Sequence, residues 1–278
     1  MSENPEIGLN VNVDDINTNY ITAGEGPPLI LIHGSGPGVT AYANWRGVIP
    51  DFAQHFTCYA PDTLGFGYTD FPDDIDGFSM ERWVSHLVGF MDALGIAKAH
   101  FIGNSYGGAL TLAIATRHPD RVAGIVLMGS AGRAEFEMTP GLQEVWGYTP
   151  SMDNMRELMR TFAHDPSLVK EEIVRSRYEA SIRPGAQEKY SSLFPEPRQR
   201  WLTELSTSDD KLAALSSPVL IVHGREDVIV PYQRSVRFNE VIPNSELHIF
   251  GNCGHWTQIE MRDRFVELVI PFLKRIDI

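Results

Sequence analysis

Short, continuous apolar runs alternate with stretches of helical spacing over most of the chain. Leu29-Ile30-Leu31-Ile32 within residues 28–33, the run at 122–128 and Val219-Leu220-Ile221-Val222 are apolar on both faces. Such runs predict strands inside a parallel sheet with both faces covered. Shorter runs at 56–59, 99–102 and 246–250 predict further strands. Between them, helical spacing is predicted at 44–54, at 80–94 (Trp83, Leu87, Phe90, Met91), after position 105 (Ala109, Leu110, Leu112, Ala113, Ala115), at 232–241 and at 262–276. Residues 7–22 alternate and include the turn formers Asp14, Asp15 and Asn17, which suits an opening antiparallel pair. The fold class is therefore α/β, with a mostly parallel, doubly wound sheet.

The alternation stops after Gly132. From 134 to 212 no buried-strand run occurs, while Met152, Met155, Met159 and Phe162 keep helical spacing, as Leu168, Ile173 and Val174 do more loosely. This predicts a core of residues 1–133 and 213–278 and a helical cap of 134–212 over the carboxyl ends of the strands.

Composition narrows the class. A chain of 278 residues with 43% hydrophobic and 21% charged residues suits a globular protein with a sizeable core. The net charge of −13 argues against nucleic acid and anionic membranes as partners, and an anionic substrate would need local arginines. Two cysteines, Cys58 and Cys253, indicate no disulfide framework. The first six residues lack the basic and apolar regions of a signal peptide, and no run approaches a membrane span. The expectation is a soluble, cytoplasmic protein.

Chemistry enters at Gly103-Asn104-Ser105-Tyr106-Gly107, a G-x-S-x-G sequence between a predicted strand and a predicted helix. Small residues two positions either side of the serine allow a sharp turn that lifts the hydroxyl clear of the sheet. The first amides of the following helix then face the place where an oxyanion forms. A glycine-rich turn with a solvated serine is the competing reading; the strand-to-helix context favours the nucleophile elbow.

A serine hydroxyl needs a base, and the base needs an orienting group. Of nine histidines, His55, His86, His100, His118, His164 and His248 fall inside or at the ends of patterned segments, as structural histidines do. His33 and His223 end strands before a glycine and read as loop braces. His255 lies in a loop between the last strand and the last helix, where a base can reach Ser105. The loop after 128 holds no carboxylate, whereas His223-Gly224-Arg225-Glu226-Asp227 does. Asp227 is the candidate acid from its G-x-x-D spacing, with Glu226 its exposed neighbour and Asp62 a brace for its own glycine-rich loop. Candidate oxyanion donors are the amides of Tyr106 and of Ser35, the latter in the loop after the first buried strand. Gly34-Ser35-Gly36 lacks the further glycine and acid of a dinucleotide fingerprint, and neither H-E-x-x-H nor C-x-x-C occurs. No cofactor and no metal are indicated.

Together these residues resemble the α/β-hydrolase superfamily, and more narrowly the meta-cleavage product hydrolases of aromatic degradation. The carrying stretches are HGSGPG (33–38), ANW (43–45), APDTLGFG (60–67), GNSYGG (103–108), VWGYTPS (145–151), RYEASIRPG (177–185), FPEPRQRW (194–201), HGRED (223–227) and GHWTQIE (254–260). The branch acting on monocyclic ring-fission products, with 2-hydroxymuconic semialdehyde hydrolase and cumene-pathway hydrolases, is most similar. The resemblance implies hydrolysis of a carbon–carbon bond in a 2-hydroxy-6-oxohexa-2,4-dienoate, with Ser105, His255 and Asp227 as triad. It further implies that Asn44, Asn104, Arg177 and Trp256 bind the 2-oxo acid end of this small anionic substrate. A planar guanidinium grips a carboxylate at two points and stays charged. By spacing alone Arg177 reads as a solvated charge on a cap helix, and Arg183 keeps that reading. The family often has methionine or phenylalanine where Tyr106 stands, which bears on pocket size, and Trp146 and Tyr148 are expected to shape the C6 end. It also implies a homodimer or larger homo-oligomer. A carboxylesterase would use the same triad without needing Arg177, and a non-catalytic receptor would not need the triad. Dehalogenase and epoxide-hydrolase chemistry would need aspartate at position 105.

Overall fold

The structure is a computed structural model describing residues 4–71, 78–133 and 137–278. Eight strands form one sheet: β1 (Leu9–Val13), β2 (Ile16–Ala23), β3 (Pro28–Ile32), β4 (Thr57–Pro61), β5 (Ala99–Asn104), β6 (Val122–Met128), β7 (Val219–Gly224) and β8 (Ser245–Phe250). Their spatial order is β1-β2-β4-β3-β5-β6-β7-β8. The first two pairings, β1 with β2 and β2 with β4, are antiparallel; every later one is parallel. The chain winds to one side from β3 to β4 and then to the other from β5 onward. Such a reversal opens a crevice at the carboxyl ends of the strands.

The helices are α1 (Ala41–Trp45), α2 (Ile49–Phe52), α3 (Met80–Ala93), α4 (Tyr106–Arg117), α5 (Pro140–Trp146), α6 (Met152–Phe162) and α7 (Glu171–Ser181). They continue with α8 (Ala186–Leu193), α9 (Gln199–Glu204), α10 (Asp209–Ala213), α11 (Gln233–Val241), α12 (Thr257–Glu260) and α13 (Arg262–Lys274). The helix expected over 44–54 is two short helices instead. Pro50 sits in the first turn of α2, where its missing N–H costs nothing, and it cannot continue the bonding of α1. Starts in the helical segment are written locally. The hydroxyls of Thr139 and Ser151 accept from Leu142 N–H (3.1 Å) and Asn154 N–H (3.0 Å), capping α5 and α6.

Alternate strand residues supply two cores. Ile30, Ile32, Phe101, Leu127 and Ile221 pack on one face with residues of α3, α4 and α11. Leu29, Leu31, Ile102, Val126, Leu220 and Val222 pack on the other with α1, α2 and α13. This double burial is the reason the runs are continuously apolar rather than alternating. Register keeps the strand ends level: Ile32 lies beside Gly103, Asn104 beside Met128, and Met128 beside Val222. The loops after β3, β5, β6 and β7 therefore leave from one edge. Helices α5, α6 and α7 lie across that edge, contributing Leu142, Val145, Met155 and Arg177 to a cavity shared with those loops. The expected start of the cap, 134–136, lies outside the described residues. Among the described residues no helix is long and apolar enough to cross a membrane.

Main chain packs directly on main chain between β5, α4 and β3. A Cβ at Gly107 would lie 2.7 Å from the carbonyl oxygen of His33 and nearer still to that of Ile32. Both obstacles are main chain at the end of the central strand β3, so neither yields easily. Gly107→Ala is expected to lower the free energy of unfolding by at least about 2 kcal/mol, read from the urea midpoint.

Candidate active site

Ser105 stands between the last residue of β5 and the first of α4 with φ 54° and ψ −115°. A serine at positive φ costs on the order of 1–3 kcal/mol, and packing has to hold it there. Its N–H donates to Met128 O (2.9 Å), and its carbonyl accepts from Gly108 N–H and Ala131 N–H, both at 3.0 Å. A Cβ at Gly103 would meet Gly108 Cα at 2.6 Å, so the strand and helix close around the turn only because this side chain is missing.

His255 follows β8 in the loop before α12. Its Nδ1 is 2.7 Å from Asp227 Oδ2, and since a carboxylate only accepts, Nδ1 carries the hydrogen. Nε2 then carries the free lone pair of the ring. Asp227 Oδ1 accepts from Ile229 N–H (2.8 Å) and Val230 N–H (2.9 Å). A second imidazole, His223, brings Nε2 to 3.1 Å from Asp227 Oδ2 and 2.8 Å from Val230 O. Both are acceptors, so His223 Nε2 is a donor. Burial alone would push the Asp227 carboxyl up. The imidazoles of His255 and His223, with the hydrogen bonds they donate, instead hold it far below the usual carboxylate range.

Ser105 and His255 line one cavity of about 30 Å³ together with Ser35, Asn44, Asn104, Arg177 and Trp256. Among the described residues Ser105 Oγ makes no hydrogen bond in this state; a serine–histidine contact commonly tightens only when substrate is bound. The rest of the wall is apolar, from Leu142, Val145, Leu158, Met159, Phe162 and Ile229 among others. Asn44, Met159, Arg177 and Trp256 also line an adjoining chamber of about 410 Å³. Arg177, half-buried, donates from Nη1 to Gly38 O at 2.7 Å. Burial lowers its guanidinium from 12.5 to about 10, with Glu6 pulling the other way and Arg46 adding to the shift, so it stays charged at neutral pH. Asn44 Nδ2 is buried with no partner among the described residues, a donor left for a ligand. Asn104 Nδ2 donates to Met128 O at 3.3 Å, and Trp256 stacks on Phe162 with ring centroids 5.2 Å apart.

Several expectations need correction. Tyr106 does not size the cavity: its ring packs against Trp83 (5.2 Å) and Phe66 (5.6 Å) in the core, leaving only its amide near the turn. Trp146 and Tyr148 do not line the cavity either. The Trp146 indole donates to Ser35 Oγ (2.9 Å), and Tyr148 OH bonds the Ser181 hydroxyl (3.2 Å). Glu226 is half-buried, and its Oε2 accepts from Cys253 N–H at 3.0 Å, bracing the loop of His255. Arg183 lies 3.9 Å over the Tyr68 ring and donates to Gly67 O at 3.0 Å, so it is no free surface charge. The braces read from sequence hold. His33 Nδ1 donates to Gly34 O (2.7 Å) while Nε2 accepts from Thr63 N–H (3.0 Å). Asp62 accepts from Ala41 N–H (2.6 Å) and Tyr68 N–H (2.8 Å).

Sequence reading missed Tyr190, whose hydroxyl sits 3.0 Å from Ser35 O and 2.6 Å from Val145 O. Nothing local marks this tyrosine, since its partners are 155 and 45 residues away. It also missed the contact of His223 with Asp227, for which the spacing of four residues after a strand end was a usable signal.

The alpha/beta hydrolase fold family matches residues 27–261. The chain is 50% identical over 270 residues to a 2-hydroxy-6-oxo-2,4-heptadienoate hydrolase of Pseudomonas putida, covering 97% of both chains. It is 50% identical over 273 residues to a 2-hydroxymuconate semialdehyde hydrolase of a Pseudomonas species, covering 98% of this chain and 96% of that one. A solved meta-cleavage product hydrolase of Pseudomonas fluorescens IP01, with acetates bound, superimposes with a TM-score of 0.96 at 53% identity, covering 98% of this chain and 99% of the other.

Burial lowers the imidazoles of His33, His86 and His100 from 6.5 to about 4. Their folded values lie below the unfolded one, so the stability they contribute is present above pH 6.5 and lost as pH falls toward 4. Asp62, raised by burial from 3.8 to about 6, acts oppositely: its contribution is lost as pH rises through about 6. Burial also lowers His248 and raises Glu260, one on each side, so the lowered imidazoles still outnumber the raised carboxyls. Unfolding free energy is expected to fall between pH 7 and 5, by up to about 1.4 kcal/mol per pH unit for each proton that only the unfolded chain takes up. His100→Asn should flatten that slope in urea titrations at pH 7, 6 and 5.

Proposed function

The chain belongs to the alpha/beta hydrolase family and, within it, to the meta-cleavage product hydrolases; from that premise we propose that it hydrolyses a carbon–carbon bond in a 2-hydroxy-6-oxohexa-2,4-dienoate, giving 2-hydroxypenta-2,4-dienoate and a carboxylic acid. The observation that carries this reading is that one cavity is lined by a strained serine, a histidine held by a buried carboxylate, and a half-buried arginine. Serine, histidine and carboxylate suffice for an ester. Breaking a carbon–carbon bond also needs somewhere for the electron pair to go, and Arg177 supplies a cation for that end of the substrate.

In this mechanism the dienol first becomes a ketone as a proton arrives at C5. His255 Nε2 removes the Ser105 hydroxyl proton, and Oγ attacks C6. The amides of Ser35 and Tyr106 receive the oxyanion. As the C5–C6 bond breaks, its electron pair passes through the conjugated chain to the 2-oxo oxygen, which takes the proton held by the His255 imidazolium to give the hydroxydienoate and leaves His255 neutral again. The carboxylate end is gripped by Arg177 with Asn44, Asn104 and Trp256. Water, deprotonated by His255, then frees the acid from Ser105. The apolar wall of Leu142, Val145, Leu158 and Ile229 takes the C6 substituent. A small cavity favours hydrogen or methyl there, consistent with the substrates in the relatives' names. The same proposal includes a core of residues 1–133 and 213–278, a cap of 134–212, a homodimeric or larger assembly, and a cytoplasmic location.

The test is loss of the yellow dienolate absorbance on mixing enzyme with ring-fission products that differ only at C6. Turnover is expected with hydrogen and methyl and abolished by Ser105→Ala; no turnover of any of them would overturn the assignment. Arg177→Ala should lower kcat/KM on the methyl dienoate by about 100-fold, the worth of a charged hydrogen-bonded contact. On neutral p-nitrophenyl acetate it should lose no more than about threefold. Equal losses on both would favour a carboxylesterase.

A further inference from the structure

The loop that carries His255 is fastened to the helices above it by its backbone. His255 N–H donates to Phe162 O, at the end of α6, at 2.9 Å. Glu260, the last residue of α12, binds both sides of this junction with one carboxylate. Its Oε1 accepts from Gly254 N–H at 2.8 Å, and its Oε2 accepts from His164 N–H at 2.8 Å and Asp165 N–H at 3.0 Å. The segments it joins are about 90 residues apart, yet there is no slack between them. A Cβ at Gly254 would lie 2.8 Å from both Phe162 O and His164 N.

The need for such a fastening is visible in the loop itself. Between β8 and α12 the chain has no regular structure, and Asn252 adopts a left-handed φ of 56°. Asp227 fixes the tautomer and tilt of the imidazole through Nδ1, but it does not fix where the backbone of residue 255 sits. A shift of about 1 Å in a reacting group is enough to cost about 100-fold in rate. A carboxylate that receives three main-chain N–H groups is a strong, charge-assisted anchor.

We propose that Glu260 is a positioning residue for His255, clamping the histidine loop to the turn after α6 so that Nε2 keeps its aim at Ser105. This rests on the reading of Ser105 and His255 as nucleophile and base. The clamp acts on the backbone that carries the base, so its loss should slow every acyl transfer to Ser105, whether or not the substrate needs Arg177.

Glu260→Gln tests this in the full-length protein. The remaining amide oxygen is expected to face the paired donors of His164 and Asp165, leaving its NH₂ against Gly254 N–H and opening the clamp on the histidine side. With p-nitrophenyl acetate and the methyl dienoate, kcat should fall about 10- to 50-fold by similar factors on both, with KM changed less than about threefold. A variant that melts like the parent and keeps its kcat, or loses rate only through KM, would overturn the inference. Ser105→Ala separates the two ideas. If that variant is inert on the ester while Glu260→Gln is unimpaired, only the clamp fails; if it still turns over, the nucleophile assignment fails and takes the clamp with it. Should Glu260→Gln not fold, amide hydrogen exchange in the unaltered enzyme decides. The Gly254 and His255 amides are expected to exchange at least about 100-fold more slowly than that of Asn252, and equal rates would overturn the clamp.

Discussion

The close approach of β5, α4 and β3 is the constraint on which the rest of this molecule depends. Two glycines let main chain meet main chain, and the serine between them is forced to positive φ. The strain is local, but what holds it is not: Met128 on β6 and Ala131 in the next loop bond the serine's own peptide groups. The sheet therefore spends packing on a turn that no isolated peptide would keep. Its return is a hydroxyl fixed at the carboxyl edge, beside loops from three neighbouring strands.

Charge is handled the same way, by enclosure rather than by excess. A chain with a net charge of −13 is a poor collector of anions, and distant surface charges are screened. The cavity contains a guanidinium taken partly out of water and tied to a loop carbonyl. On the other side a buried carboxylate stays ionised because two imidazoles and two backbone amides surround it. Each charge is specified by its neighbours, so the overall sign of the protein says little about the site.

The helices over the site are part of its construction. Trp146 and Tyr190 hold Ser35 through its hydroxyl and its carbonyl. Phe162 holds the backbone of His255. The loop after β3 and the loop after β8 thus take their positions from the covering helices as well as from the sheet. That division explains why residues expected to shape the pocket are found bracing its walls.

By itself the sequence determined the architecture and pointed to the candidate reacting groups. Two-sided burial needs continuous apolar runs, a nucleophile turn needs its glycines, and both leave marks that span only a few residues. The strand runs, the Ser105 turn, the braces at His33 and Asp62 and the pairing of His255 with Asp227 were legible for that reason. Tertiary structure decided everything that depends on direction. Tyr106 faces the core and not the cavity, Trp146 gives its N–H to Ser35, and Glu226 and Glu260 serve the histidine loop. A side chain's partner across 90 or 150 residues is set by how helices pack on the sheet, and no local pattern encodes that packing.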